Sequence, residues 1–280
     1  VRTVAFQLPE FIDIVMNAGD ARSGLGATIG QSLPNFGKVA EESRGRTVAM
    51  ANLYTDPDSM RIQKLRAESL FTPDTLKAYT SDPTSAQLDT VLHEATHNFG
   101  PTGSWKIDGK APEEIFGGRT DAILEELKAQ WGSYYFAQWL HKKGDLTDEQ
   151  LHEGYLSSIA WAFGHISRGM FTSSGKPRTY SVLSAIQIQA LMRGGALTFV
   201  DGGVGADPGR FNIDFSKVAA IVDAGIKEVG RIKAAGDKAA AEALIAGATS
   251  PAAQAAMKAG LITQRVTRYP KATFVYRVQY

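Results

Sequence analysis

From about residue 60 onward, apolar and polar positions alternate with the period of an α-helix, about 3.6 residues per turn. The first long helix is TSAQLDTVLHEATHNF, which follows Pro83, takes Thr84 or Ser85 as its cap, and stops at Gly100-Pro101. Residues 101–119 read as a loop. Thr120 caps a second helix, DAILEELKAQWGSYYFAQWLHKKG, which ends in basic residues and Gly144. Thr147 followed by Gln150 forms a capping box for a third helix that runs to about Gly164. SVLSAIQIQALMRGG is a fourth, and further helices lie in FSKVAAIVDAGIKEVGRIKAAG and the Ala-rich run after it. Strand patterns are few: RTVAMANLY near residue 50 and the tail ATFVYRVQY. SGLGATIGQSLPNFGKV and GGALTFVDGGVGADPGRF are Gly-rich and read as loops. The fold class expected is mainly α with a few short β-strands, as a single domain over residues 1–280 with no internal repeat.

Placed on a helical wheel, Leu88, Val91, Leu92, Ala95 and Phe99 make one apolar stripe, expected to face the core. His93 and His97 fall nearly opposite it, with Ala86 and Thr90. Their i, i+4 spacing lets two imidazoles reach one ion, and Glu94 projects to the side, where it would hold a water and not the ion itself. The competing reading is an ordinary pair of surface histidines. A catalytic zinc ordinarily has a third protein ligand and an open position. In the next helix Ile123, Leu127, Trp131, Tyr134 and Gln138 share a face. Glu126 flanks that face beside Ala122, Ala129, Ser133 and Ala137, whose small side chains admit a neighbouring helix. Glu125 falls with Asp121, Lys128 and Gly132, toward solvent. Glu126 is therefore the expected third ligand, and Gln130, one turn on, is placed to hydrogen-bond a ligand histidine.

Composition narrows the chemistry. The chain has 44% hydrophobic and 21% charged residues and a net charge of +1, a globular profile that points to neither a nucleic-acid partner nor an anionic membrane surface. It contains no apolar run of membrane-spanning length. With no cysteine, a metal here must be held by His, Asp or Glu, and a thiol nucleophile is excluded. No serine sits in a G-x-S-x-G elbow, and the glycines of VDGGVGADPG lack the strand–turn–helix context of a nucleotide site. The first residue is Val1, so an upstream methionine, signal or N-terminal domain is expected to have been removed.

HEATH followed by EELKAQ on a later helix resembles the dipeptidyl-peptidase III type of zinc peptidase, family M49, and its bacterial relatives. SLPN near residue 33 and FSKVAAIVDAGIKEV with the later GD are weaker echoes. The resemblance implies a helical zinc-peptidase catalytic lobe, one Zn2+ per chain on His93, His97 and Glu126, and Glu94 as general base. It also implies a peptide substrate and a second lobe or subunit that completes the cleft. Two departures stand out. The first motif is one residue shorter than the family's, and Gln130 stands where the family carries an acid. His165, after an apolar helix in AWAFGHISRGMF, is the first candidate to stabilise the oxyanion, with Tyr134, Tyr135 and Tyr155 as alternatives. Arg168 and Arg178 are candidates to hold a peptide carboxylate. His141 and His152, near helix ends, are expected to be structural or exposed. Two other functions fit the same residues: a non-catalytic zinc- or peptide-binding relative, and a zinc hydrolase acting on a non-peptide amide.

Overall fold

The computed structural model describes residues 10–12, 30–33, 46–50, 52–101, 105–202 and 208–269. Five short strands accompany twelve helices among them. Strands β1 (Glu10–Ile12), β2 (Gly30–Leu33) and β3 (Arg46–Met50) form a sheet in the order β1-β3-β2, with β1 parallel and β2 antiparallel to β3. Helices α1 (Asn52–Thr55), α2 (Pro57–Leu70) and α3 (Pro73–Leu76) follow. The central elements are α4 (Thr84–Thr96), α5 (Pro112–Phe116), α6 (Gly118–Lys143), α7 (Asp148–Ile166) and α8 (Thr179–Arg193). A two-stranded antiparallel ribbon, β4 (Leu197–Val200) with β5 (Arg210–Ile213), precedes α9 (Phe215–Ala235). The chain then turns through α10 (Lys238–Thr249), α11 (Pro251–Ala256) and α12 (Ala259–Arg268). None of the described helices is long and apolar enough to cross a membrane.

Helix α6 is the axis of the molecule. It packs against α4 on one side and against α8 and α9 on another. Ile123, Leu127 and Trp131 of α6 are sealed from water with Val182, Leu183 and Ile186 of α8 and Val218, Val222 and Val229 of α9. Gly225 lets α9 lie against the Trp131 ring: a Cβ at that position would stand 2.5 Å from the indole. Phe71, Phe163 and Phe211 stack through the core and tie α2 and α7 to β5. The helix signals are local. Gly144 closes α6 in the left-handed conformation at φ 84°. Thr147 accepts from the Gln150 amide and the Gln150 side chain accepts from the Thr147 amide, so the capping box starts α7 as its sequence predicts.

Several expectations are corrected. The Gly-rich stretch after α8 holds β4 and β5, because Leu197, Phe211 and Ile213 bury their side chains and pair across the ribbon. The stretch 101–119 contains α5, and α6 begins at Gly118, so Thr120 lies inside the helix and Gly117 precedes it. RTVAM pairs as β3, but the following NLYT turns into α1, and part of the Gly-rich stretch near residue 30 pairs as β2. Neither Thr84 nor Ser85 caps α4; Asp82 does that work, accepting from the Thr84 amide at 3.0 Å. The helix ends at Thr96, so His97 sits in its closing turn. The tail expected as a strand lies outside the described residues.

Candidate metal centre

Helix α4 meets α6 along a polar seam. The apolar stripe predicted for α4 is only half used. Its last member, Phe99, is 43% exposed and leans on Phe136, whereas Ser85 and Thr96 are buried. The contact face is therefore rotated toward the histidines. The two helices approach closely where Thr96 crosses Gly132, at which a Cβ would stand 2.2 Å from the threonine methyl. Gly132 was expected to face solvent. A side chain there would hold α4 away from α6 and the histidines away from the carboxylates of α6.

At this seam one donor atom from each of His93, His97 and Glu126 falls within 4.8 Å of the others. His93 Nε2 stands 3.2 Å from Glu126 Oε2 and 3.2 Å from His97 Nε2, and His97 Nε2 is 3.9 Å from Glu126 Oε2. The other ring nitrogens are engaged. His93 Nδ1 is 3.0 Å from Gln130 Oε1, and His97 Nδ1 is 2.9 Å from Glu125 Oε1. Both partners are acceptors, so each Nδ1 can carry the ring hydrogen and each Nε2 can then offer its lone pair; Glu126 Oε2 beside His93 Nε2 calls for a proton or a cation there. Two bare nitrogens and a carboxylate oxygen converging on one point repel one another unless positive charge lies between them. Donors at about 2.0–2.1 Å around a tetrahedral ion stand roughly 3.3–3.4 Å apart, close to the two shorter edges seen here. The donor set thus fits a divalent ion of the zinc type, and the arrangement leaves a fourth direction without a protein donor among the described residues.

The electrostatics agree. Burial opposes the charged imidazole of His93, but its bond to Glu126 and the charges of Glu126, Glu94 and Asp89 raise its pKa above the ordinary value. Burial also opposes ionisation of Glu126, yet His93, His97 and Tyr180 hold its carboxyl below the usual range. The site draws positive charge, whether proton or cation.

Glu125 is the largest correction to the sequence reading. It does not face solvent. It accepts from His97 and binds two ammonium groups, Lys128 at 2.9 Å and Lys233 at 2.7 Å. Lys128 and Lys233 are 3% and 1% exposed, so these are buried ion pairs; against its burial, the bond from His97 and then the two ammonium charges depress the Glu125 carboxyl strongly. Lys233 lies on α9, more than a hundred residues away in sequence, which is why a wheel of α6 alone turns Glu125 outward.

Glu94 is half-buried on α4, close enough for its charge to act on both His93 and Tyr180. His165 is half-buried at the end of α7. Its ring lies 4.3 Å from that of Trp161 and 5.2 Å from that of Tyr180. Tyr180, at the start of α8, was not among the sequence candidates. Tyr180 is 40% exposed as a residue, but desolvation around its hydroxyl and the nearby Glu126 charge raise the phenol far above the ordinary range, so the group stays neutral and donates to Glu126. It joins His165 to the cluster, and helical periodicity gives no sign of it. The other tyrosines do not reach the cluster: Tyr134 and Tyr155 stack in the core, and Tyr135 turns outward against Phe136. Arg168 and Arg66 sit near one another, with Arg178 beyond, and Arg178 donates to the Phe171 carbonyl. His141 pairs with Asp148 at 2.8 Å between helix ends, and His152 stacks on Phe215.

No protein-family model matches this chain. A curated relative, Nudix hydrolase 3 of Arabidopsis thaliana, is 26% identical over 240 residues, which are 84% of this chain and 28% of the plant protein. Among solved structures, dipeptidyl-peptidase III from Caldithrix abyssi superposes with a TM-score of 0.75 at 22% identity over 90% of this chain. The enzyme from Corallococcus sp. strain EGB does so with a TM-score of 0.74 at 23% identity over 93%. This chain covers 45% of each of those structures. It therefore has the mainly helical fold of somewhat less than half of a dipeptidyl-peptidase III, with a His/His/Glu cluster at the seam of two of its helices.

Proposed function

We propose that this chain is the zinc-binding catalytic lobe of a metallopeptidase of the dipeptidyl-peptidase III type. The observation that carries the proposal is the convergence of two bare imidazole nitrogens and one carboxylate oxygen, each backed by a partner, on a fold shared with that enzyme. His93, His97 and Glu126 would hold one Zn2+, which, when bound, supplies a Lewis acid that acidifies a water and polarises a carbonyl. Glu94 takes the water's proton and passes it to the leaving amine. His165, whose ring lies 5.2 Å from that of Tyr180 beside the cluster, would donate to the oxyanion as it forms, and Tyr180 would join it by turning its hydroxyl from Glu126. Glu125 and Gln130 hold Nδ1 of the two imidazoles, which would leave Nε2 of each to bind the ion. Peptides are the substrates, lying between this lobe and another lobe or subunit that completes the cleft; the chain's 45% share of the related structures supports that division.

The test begins with metal per chain in protein purified without chelator, beside Glu126→Ala and Glu94→Gln. About one zinc in the native chain, a large loss in Glu126→Ala, and zinc retained in Glu94→Gln are expected. Peptide hydrolysis should fall by about a hundredfold or more in Glu94→Gln. A native chain that takes up no zinc sinks the proposal. Zinc without hydrolysis, measured with the complementing lobe present, reduces the chain to a binding protein.

A further inference from the structure

Behind His93 the hydrogen bonds run in one direction only. Gln130 is 3% exposed. Its amide nitrogen lies 3.3 Å from Asp89 Oδ2 and 3.4 Å from Ser133 Oγ, so both amide hydrogens have an acceptor. Its carbonyl oxygen is left for His93 Nδ1. An amide turns through half a circle at little steric cost, and what chooses between its two orientations is the polarity of its neighbours. A carboxylate accepts and never donates. Asp89 therefore compels Gln130 to present its NH2 inward and its oxygen to His93. That gives His93 Nδ1 a fixed acceptor, which favours the hydrogen there against the competing acceptor Glu126 Oε2 at Nε2.

The surroundings of Gln130 are closed to water, and Asp89 behind it is half-buried. Burial raises the Asp89 pKa above the ordinary value, and the hydroxyls of Ser133 and Ser158, 1% and 4% exposed, act the other way in favour of its charged form. The cavity beside Asp89, lined by Ser85, Ser133, Tyr134 and Ser158, measures about 20 Å³, little more than one water needs. Bulk solvent does not compete for the amide.

We propose that Asp89 is a positioning residue that sets the tautomer of His93 through Gln130, and so makes the first imidazole a metal ligand. The carboxylate that orients this histidine stands one residue further back than in a direct carboxylate–histidine pair, with an amide as intermediary. The inference rests on the zinc-site reading above, but part of its test needs no metal.

The variant Asp89→Asn keeps the size of the side chain and removes its polarity, since an asparagine amide satisfies Gln130 in either orientation. Two quantities are read: zinc affinity by competition with a chromogenic chelator, and the His93 tautomer in metal-free protein by nitrogen NMR of labelled histidine. Asp89→Asn should weaken zinc binding about 10- to 100-fold, the range of outer partners of ligand histidines. It should also lower the share of neutral His93 rings that carry the hydrogen on Nδ1. The double variant Asp89→Asn/Gln130→Glu restores a one-way chain, with the amide now donating to a carboxylate that accepts from His93, and should recover both. Gln130→Glu alone sets two carboxylates against each other and should not. A thermal melt of each variant confirms that folded protein is compared. Unchanged affinity and an unchanged tautomer ratio in Asp89→Asn overturn the proposal, as does failure of the double variant to recover either quantity. If the native chain binds no zinc the metal reading fails, and the tautomer measurement alone still decides the role of Asp89.

Discussion

Helix α6 has two working sides, built on opposite principles. Toward α8 and α9 it presents Ile123, Leu127 and Trp131, and the contact is apolar and closed. Such a contact has no preferred direction. Its energy follows the area removed from water, and a neighbour of similar volume would serve. Toward α4 the same helix presents Glu125, Glu126, Gln130 and Gly132, and nearly every contact there is a directed hydrogen bond or ion pair. A displacement of about 1 Å would leave the apolar side packed but would misalign the polar one. One side of the helix supplies stability and the other holds chemistry, and the first is what the second stands on.

That division makes unequal demands on mutation. Glu125→Ala should produce the largest effect, because it strikes both functions. It takes the shared carboxylate from two buried ammonium groups, leaving Lys128 only the Phe99 and Pro101 carbonyls and Lys233 only Asp121, and it removes the acceptor on His97. Breaking a buried pair of this kind costs about 3–5 kcal/mol. A denaturant melt should show that loss, and chelator competition should show zinc affinity reduced about tenfold or more. An unchanged melt would mean that the polar seam contributes nothing to folding, and the two sides would then be fully separate.

Trp131→Ala comes next. Removing a sealed indole destabilises by about 3–5 kcal/mol through lost burial and the cavity left behind. Zinc affinity of the folded fraction should stay within about twofold of native, since the indole touches none of the ligands. A large loss of affinity would instead join the two sides into one mechanical unit.

The smallest effect concerns Glu153 of α7, where the polar seam continues beyond the site. Its carboxyl is 5% exposed and hydrogen-bonded to Ser85 of α4, and burial, helped by Asp82 and Asp89, pushes its pKa up to about 7. A carboxyl raised in the folded state favours folding when protonated. Its contribution is complete below the unfolded value near 4.5 and is lost as pH rises through about 7. Native protein should therefore lose about 2–3 kcal/mol of stability between pH 4.5 and pH 8 relative to Glu153→Gln. Parallel melts of the two proteins across that range would show it, and identical pH dependence would refute it.

The legible and illegible parts divide by the range of the interaction. The capping box at Thr147 and Gln150, the stop at Gly144 and the length of α6 depend on neighbours within one turn, so they stand open in the sequence. The strands β4 and β5 were hidden by the glycines before and between them, because what makes them strands is pairing with each other and with Thr72, between α2 and α3. Phe99 read as core and is exposed because α4 ends at Thr96, before the stripe is complete.

The spacing of His93 and His97 and the pairing of Glu126 with Gln130 were determined by the sequence, since i, i+4 places side chains together on any helix. The sequence also determined that any metal here must be held by nitrogen and carboxylate oxygen, because the chain has no cysteine. Only the tertiary structure decided which faces meet. It turned α4 so that its histidines look inward. It brought Lys233 from α9 to hold Glu125 against His97, and set Tyr180 beside Glu126. A wheel gives the angles of side chains about one axis. Where a second axis lies depends on packing summed over the whole core, and here that was settled by two glycines, one under Thr96 and one under Trp131.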